Sequence, residues 1–452
     1  MGLYVAFVVL LQLPTTQRFL GEKVSEAISE KLGTDVRVGR VNLGLLNRII
    51  VDNVQIDDQQ HLPMLSAARV SAKVDLLSLT QGRIVITSAQ LFGLKAALYQ
   101  EQPDADFNFQ FALDSLASKD TTKHTPLDLK INSLVVRHGQ IAFDKKYIAP
   151  QSGVFSPAHI HASDISGHVI LNALKDDSLN LNLKRLSFKE ASGINVKSLQ
   201  LKAVANKSQA NLDNFILTLP ASQLNIGHIG ATYRFENDKL QLATLQYEGG
   251  IDNSYVTLSE LAPFIPSLKD NNNTLSLLST FSGTSTNLRV SQLDVNTADG
   301  CLALRADGSI SDWQAKPRWN GNIEKLHAST LGLQTVLSAL NSHSELPQEV
   351  VRLGDIDFSG TLGGVGKDVA VKGLFNTEAG DMLIALGKNG QQFTGHLTTE
   401  GINLRQILDN EHFGMVDADI DLDGILPHQG KPSLKAEGRI GRLDYNDYAY
   451  RN

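Results

Sequence analysis

The sequence predicts a mainly β protein built on one long, curled antiparallel sheet that forms an elongated groove, with an N-terminal hydrophobic and amphipathic helix and a few short helices. Three observations predict it. From Thr34 onward, runs such as "VRVGRVNL", "RIVITSAQL" and "LDLKINSLVV" alternate apolar and polar residues, the period that puts every second side chain on one face of a strand. Turn residues punctuate these runs at Gly82, Asp104 to Asp106, Gly139, Asp176-Asp177, Gly193 and Asn237-Asp238, as an antiparallel meander requires. Helical signals are confined to the N-terminus and to four short stretches starting at Ser259, Ser329, Pro347 and Asn403.

Residues 1–14 read as a truncated membrane anchor. "LYVAFVVLLQL" is apolar apart from Gln12 and is bounded by Pro14. As a helix it rises only ~16 Å, about half of a ~30 Å hydrocarbon core. No Lys or Arg precedes it and no small-residue cleavage site follows, so it is not a signal peptide. The front of an anchor is expected to be missing, leaving Leu3, Val5, Phe7, Val8, Leu10, Leu11 and Leu13 as its membrane-facing residues; a buried core segment is the alternative. Residues 15–33 form an amphipathic helix. Thr15 or Thr16 caps it, Gly33 suits a left-handed C-terminal position, and Leu20, Val24, Ala27, Ile28 and Leu32 share one stripe.

Residues 34–258 are the first segment of the groove. In "SLNLNLKRLSF", Leu179, Leu181 and Leu183 alternate with polar residues, but Leu186 and Phe188 fall on even positions. A β-bulge after Lys184 returns them to the same face. Residues 259–452 are the second segment, which repeats itself: "FSGT" at Phe281 recurs at Phe358, 77 residues later, and each copy runs on into a short helix. "LGDIDFSG" from Leu353 is echoed by "FGMVDADIDLDG" from Phe413. Repeated hairpin units imply stacking along an axis. The chain ends in a strand-like run, "LDYNDYAYRN", which reads as a C-terminal truncation.

At about ten residues per strand and turn, roughly 35 strands are expected, a sheet on the order of 150 Å across. A sheet that wide curls. Its apolar face is expected to hold acyl chains, lined by Leu127, Leu129 and Ile131, by Leu179, Leu181 and Leu183, and by Phe215, Leu217 and Leu219. Two facing sheets or a closed β-helix, each covering its own leucines, remain open alternatives.

Composition excludes other classes. With 41 Lys+Arg against 48 Asp+Glu and no basic run, nucleic acid is not an expected partner. The single cysteine, Cys301, excludes an internal disulfide and a CxxC site, and reads as a buried thiol. Asp419, Asp421, Asp423 and Gly424 have calcium-loop spacing, but the bidentate Glu is replaced by Gly430, and Ile420 and Leu422 alternate as in a strand. His159 and His161 share a strand face without an evident third ligand. The nonapeptide calcium pattern at Gly363 occurs once, and "GVGKD" lacks the Ser or Thr of a phosphate loop. With no GxSxG, HExxH or acid/base pair, no catalytic residue, cofactor or metal ligand is assigned.

"QLPTTQRFLGEKVSEAISEKLGTDVRVGRVNL" (12–43), "VDNVQIDD" (51–58), "LLSLTQGRIVITSAQLFGL" (76–94), the Phe281 and Phe358 repeats and "AEGRIGRLDYNDYAY" (436–450) resemble the N-terminal part of the AsmA-like family, in its translocation and assembly module branch of the Bacteroidetes type (TamB-like). The resemblance implies an inner-membrane signal anchor, a periplasmic β-taco groove and lipid movement toward the outer membrane. Help with inserting outer-membrane β-barrels, through an Omp85-type partner, is the alternative it implies. The family's C-terminal domain, which meets that partner, has no counterpart in this sequence, and the anchor is shorter than the family's.

Overall fold

The computed structural model describes residues 14–44, 48–75, 84–117, 127–175, 178–236, 239–339, 346–425 and 433–451. The anchor residues Leu3 to Leu13 lie outside them, and no described helix is long and apolar enough to cross a membrane. The protein is mainly β: of the described residues 66% lie in strands and 13% are helical, so the described helices are too few to form a layer over the strands. The strands belong to one long sheet, antiparallel except near its start. Two compact units divide inside β10 (Gln209–Thr218): one reaches Asn206 and adds Asn214–Pro220, and the other comprises Lys207–Asp213 and the rest.

The first unit opens with α1 (Pro14–Leu32). Pro14 takes the first helical position, where its missing N–H costs nothing, and Gly33 ends the helix at φ +67° with its N–H bonded to the Ser29 carbonyl. Strands β1 (Val36–Gly44), β2 (Arg48–Asp57) and β3 (Pro63–Val74) form a meander. Helix α1 lies along β1: the Val36 N–H donates to Ser29 Oγ (2.9 Å), and Ser25 Oγ donates to the Val36 carbonyl (2.8 Å).

The antiparallel rule breaks at the next strands. β4 (Ile84–Phe92) and β5 (Lys95–Gln100) both pair antiparallel with β3 but parallel with β6 (Leu127–Lys145). A parallel neighbour needs a crossover, and α2 (Gln110–Ala117) lies between β5 and β6 in the chain. β7 (His159–Lys175), β8 (Ser178–Glu190) and β9 (Asn195–Ala205) then resume the meander.

The second unit is antiparallel throughout, from β11 (Gln223–Glu236) and β12 (Lys239–Thr257) to β13 (Thr274–Thr284), β14 (Asn287–Thr297), β15 (Leu302–Ser311) and β16 (Arg318–Ala328). Helices α3 (Thr330–Ala339) and α4 (Gln348–Arg352) precede β17 (Ile356–Val365), β18 (Asp368–Thr377), β19 (Gly380–Asn389) and β20 (Gln392–Asn403). Helix α5 (Leu404–Leu408), capped by Asn403, precedes β21 (Phe413–Ile425), β22 (Ser433–Tyr445) and β23 (Tyr448–Arg451). The two "FSGT" stretches lie on β13 and β17, so the sequence repeat is a four-strand set followed by helix.

The described strands number 23 rather than about 35, because most strands fill ten or more residues before any turn is added, β6 and β12 reaching 19 each. Gly139, expected at a turn, lies within β6, at a register irregularity against β7. It bends one strand instead of ending it.

Candidate functional site

The feature with functional content is the apolar face of the sheet. In the second unit Ile323, Gly360, Gly373, Ile384, Leu397 and Ile420 stand opposite one another in turn from β16 to β21. One residue along, on the other face, the row reads Asn322, Thr361, Lys372, Ala385, His396 and Asp421. One face is oily and the other is wet, as the period of two demands.

Each ladder from β12–β13 to β16–β17 carries a register shift at mid-strand, for example between Val290 and Leu293 and between Arg305 and Ala306. Bulges bend strands and raise their twist. Glycines sit on the apolar face at the same level: Gly308 pairs with Gly321, and Gly360 with Gly373. A Cβ at Gly373 would collide with the Ser359 carbonyl and the Phe358 ring, so only glycine fits there.

Burial along this face is uneven. Leu302, Ala328, Ile356, Phe358, Ile402, Val416 and Ala418, at one end of the strands, are fully buried. In the central and opposite rows Ile384 is fully buried, but Ile310, Trp319, Leu362, Leu397, Ile420 and Leu422 are only partly so. A cavity of about 250 Å³ opens on this part of the face beside Leu288, Val290, Leu293, Ala306 and Ile310.

In the first unit Leu179, Leu181 and Leu183 share a face as expected and grade from 37% exposed, through half-buried, to 8% exposed. Leu171 and Ala203 flank Leu181, and Val169 and Leu201 flank Leu183. The ladders slip between Leu183 and Leu186, which places the bulge after Lys184 and brings Leu186 opposite Leu199. Phe215 and Leu217, in β10, and Leu219, just beyond it, are half-buried. The side chains of Leu127, Leu129 and Ile131 lie outside the described ones, although their backbone forms the start of β6.

The polar clusters are satisfied internally. Asp58, 1% exposed, accepts from the Tyr99 hydroxyl (2.7 Å), Asn108 Nδ2 (3.3 Å) and the N–H groups of Gln60 (2.8 Å) and Leu62 (3.0 Å). Burial pushes its carboxyl upward, but these donors outweigh burial and hold it below the usual carboxylate value. His159 Nδ1 (2.8 Å) and His161 Nε2 (2.9 Å) both engage Asp144. Burial raises that carboxyl and the two imidazoles more than offset the rise. Among the described residues no group of three or more His, Cys, Asp or Glu is arranged to hold a metal.

Asp417, Asp419 and Asp423 lie on the polar face of β21, opposite Arg442, Arg439 and Lys435 of β22. The calcium-like spacing is therefore a charged strand face. Cys301 is buried, and burial raises its thiol.

No family model, curated protein or solved structure matches the chain.

Residue-by-residue reading missed the buried end of the face. Phe358 reads only as part of a repeat, and nothing in the alternation distinguishes it from Leu362, four residues along the same strand. Phe358 packs against Phe375, and helix α5 covers the same end further along the sheet, where its Leu404 and Ile407 pack on Ile402, Val416 and Ala418.

Proposed function

We propose that the chain is a non-enzymatic lipid-transfer conduit, anchored in the inner membrane and lying mostly in the periplasm of a Gram-negative bacterium, that carries phospholipid toward the outer membrane. Acyl chains lie against the apolar face and head groups stay in water. The observation that carries this reading is the row from Ile323 to Ile420, continuous across six strands and only partly buried over much of its length. The aligned bulges and paired glycines support a sheet bent lengthwise into a trough. At ~0.8 kcal/mol per buried methylene, a 16-carbon chain gains on the order of 12 kcal/mol there. No side chain reacts in this mechanism; width and continuity of the trough set what it accepts.

A second reading is a scaffold for outer-membrane β-barrel assembly with an Omp85-type partner, which would take its clients by β-augmentation on a strand edge.

Leu181→Asp and Leu217→Asp separate the two. Photocrosslinked phospholipid on the purified chain and outer-membrane protein assembly in cells are measured together. Lost lipid with intact assembly supports the conduit; unchanged lipid capture overturns it.

A further inference from the structure

The second unit has two unlike margins. Because its strands are antiparallel throughout, β12, β16 and β20 all end on one margin, and every described helical segment of the unit lies there: the 3₁₀ turns Leu258–Leu261 and Pro266–Leu268, α3 with α4, and α5. On the other margin the described connections are short turns at 285–286, 312–317, 366–367 and 390–391.

Burial follows that division. Beneath the helical margin Leu302, Ala328, Ile356, Phe358, Ile402 and Val416 are each under a tenth exposed. Helix α3 closes so tightly that a Cβ on Gly332 would run into the Cys301 carbonyl. Toward the hairpin margin of the same face, Val369 is 37% exposed, and Ile310, Trp319 and Leu362 are only partly buried.

Charge follows it too. Among the described residues of the connections and the last two positions of each flanking strand, the hairpin margin holds Lys239, Lys316, Arg318, Lys367 and Lys388 against Glu236, Asp312 and Asp368. The helical margin holds twelve carboxylates, Glu260, Asp355 and Glu411 among them, against Lys269, Arg352 and Arg405. A phosphate is repelled by the filled, acidic margin and attracted by the open, basic one.

Resting on the lipid-transfer reading, we infer that phospholipid lies along the strands with its phosphate-bearing head at the hairpin margin and its acyl termini directed toward the helical margin, stopping at its buried rows. Lipids then enter and leave sideways over the hairpins, and anionic heads are preferred. Strands of about ten residues span ~33 Å, long enough for one extended acyl chain and its glycerol.

Two phosphatidylglycerol probes test this on the full chain, one with a diazirine at the acyl terminus and one with it beside the glycerol, each crosslink being mapped by mass spectrometry. The acyl-terminal probe is expected on Leu304, Leu326 and Leu397, and the glycerol probe near Ile310, Trp319 and Leu386. Reversed or identical maps overturn the orientation. Absence of both probes from the apolar face overturns the lipid-transfer reading itself. The combined variant Lys316→Glu, Arg318→Glu, Lys367→Glu and Lys388→Glu should lower phosphatidylglycerol capture about tenfold and phosphatidylcholine capture less than about twofold. Equal loss of both lipids, or no loss, overturns the head-group preference. If that variant does not fold, the same four positions changed to Gln carry the test, with about a threefold selective loss expected.

Discussion

The Tyr99 hydroxyl donates a 2.7 Å hydrogen bond to Asp58, a carboxylate only 1% exposed. The bond ties β5 to the end of β2, and Thr34 Oγ1 secures the same corner by donating to the carbonyls of Asp57 and Asp58 (3.0 Å each).

Tyr99→Phe removes a donor to a buried charge and is expected to cost about 1.5–3 kcal/mol at neutral pH. The ring itself stays useful, since Lys146 Nζ lies 3.7 Å from its centroid. Asp58 titrates lower in the folded chain than its ordinary 3.8, so its contribution is present above that value and fades as pH falls through the folded one. The gap between variant and parent should therefore narrow in acid. Hydrogen exchange at the Gln60 and Leu62 amides, both bonded to this carboxylate, reads the effect locally; a gap independent of pH would contradict it.

His396 on β20 hydrogen-bonds Asp421 on β21 through Nδ1 (2.8 Å). That bond is the main cause raising its titration above 6.5; desolvation opposes it, and charge attraction from Asp419 and Asp421 adds to the rise. A raised folded value means that the pair stabilises below pH 6.5 and stops doing so as pH climbs through the folded value. An NMR titration should place His396 above 6.5, and Asp421→Asn should bring it down. An unchanged midpoint in the variant would remove the pair as the cause.

Gly373→Val tests the mid-strand glycines. The new side chain meets the Ser359 carbonyl and the Phe358 ring, and strain of about 1–3 kcal/mol or more is expected. Gly387→Ala in β19 is the control: its Cβ would meet nothing closer than Thr394 Oγ1 at 3.3 Å. Thermal unfolding should separate the two clearly; equal melting temperatures would mean that the strands relax around the added carbon atoms.

How far the sequence discloses this fold depends on the range of the interaction. Alternation is local, so strand identity and the two-faced sheet were readable, and so was the bulge after Lys184, because Leu186 and Phe188 changed parity. Parallel pairing of β4 and β5 with β6 leaves no mark on alternation, and its best sign, the helix at Gln110–Ala117 inside "NFQFALDSLA", was passed over. Gly139 looks the same in sequence whether it ends a strand or bulges inside one. Which end of the apolar face is covered depends on α3 closing over Cys301, on α5 packing on Val416 and Ala418, and on Phe358 meeting Phe375 across a ladder, so Phe358 and Leu362 read alike until the fold is built.

That last distinction yields the most demanding prediction. If the whole apolar face were ordinary core, truncation anywhere on it would cost several kcal/mol. The burial gradient implies otherwise. Phe358 is 5% exposed and packs against Phe375, with ring centroids 4.6 Å apart, so Phe358→Ala should cost about 3–5 kcal/mol. Val369, also on the apolar face but 37% exposed, has less protein around it to lose, and Val369→Ala should cost no more than about 1 kcal/mol. Urea unfolding of the two variants, with amide exchange along β17 and β18 to localise the loss, measures both. Comparable losses at the two positions would mean that protein covers the hairpin end as firmly as the helical end, leaving no exposed face for an acyl chain to occupy.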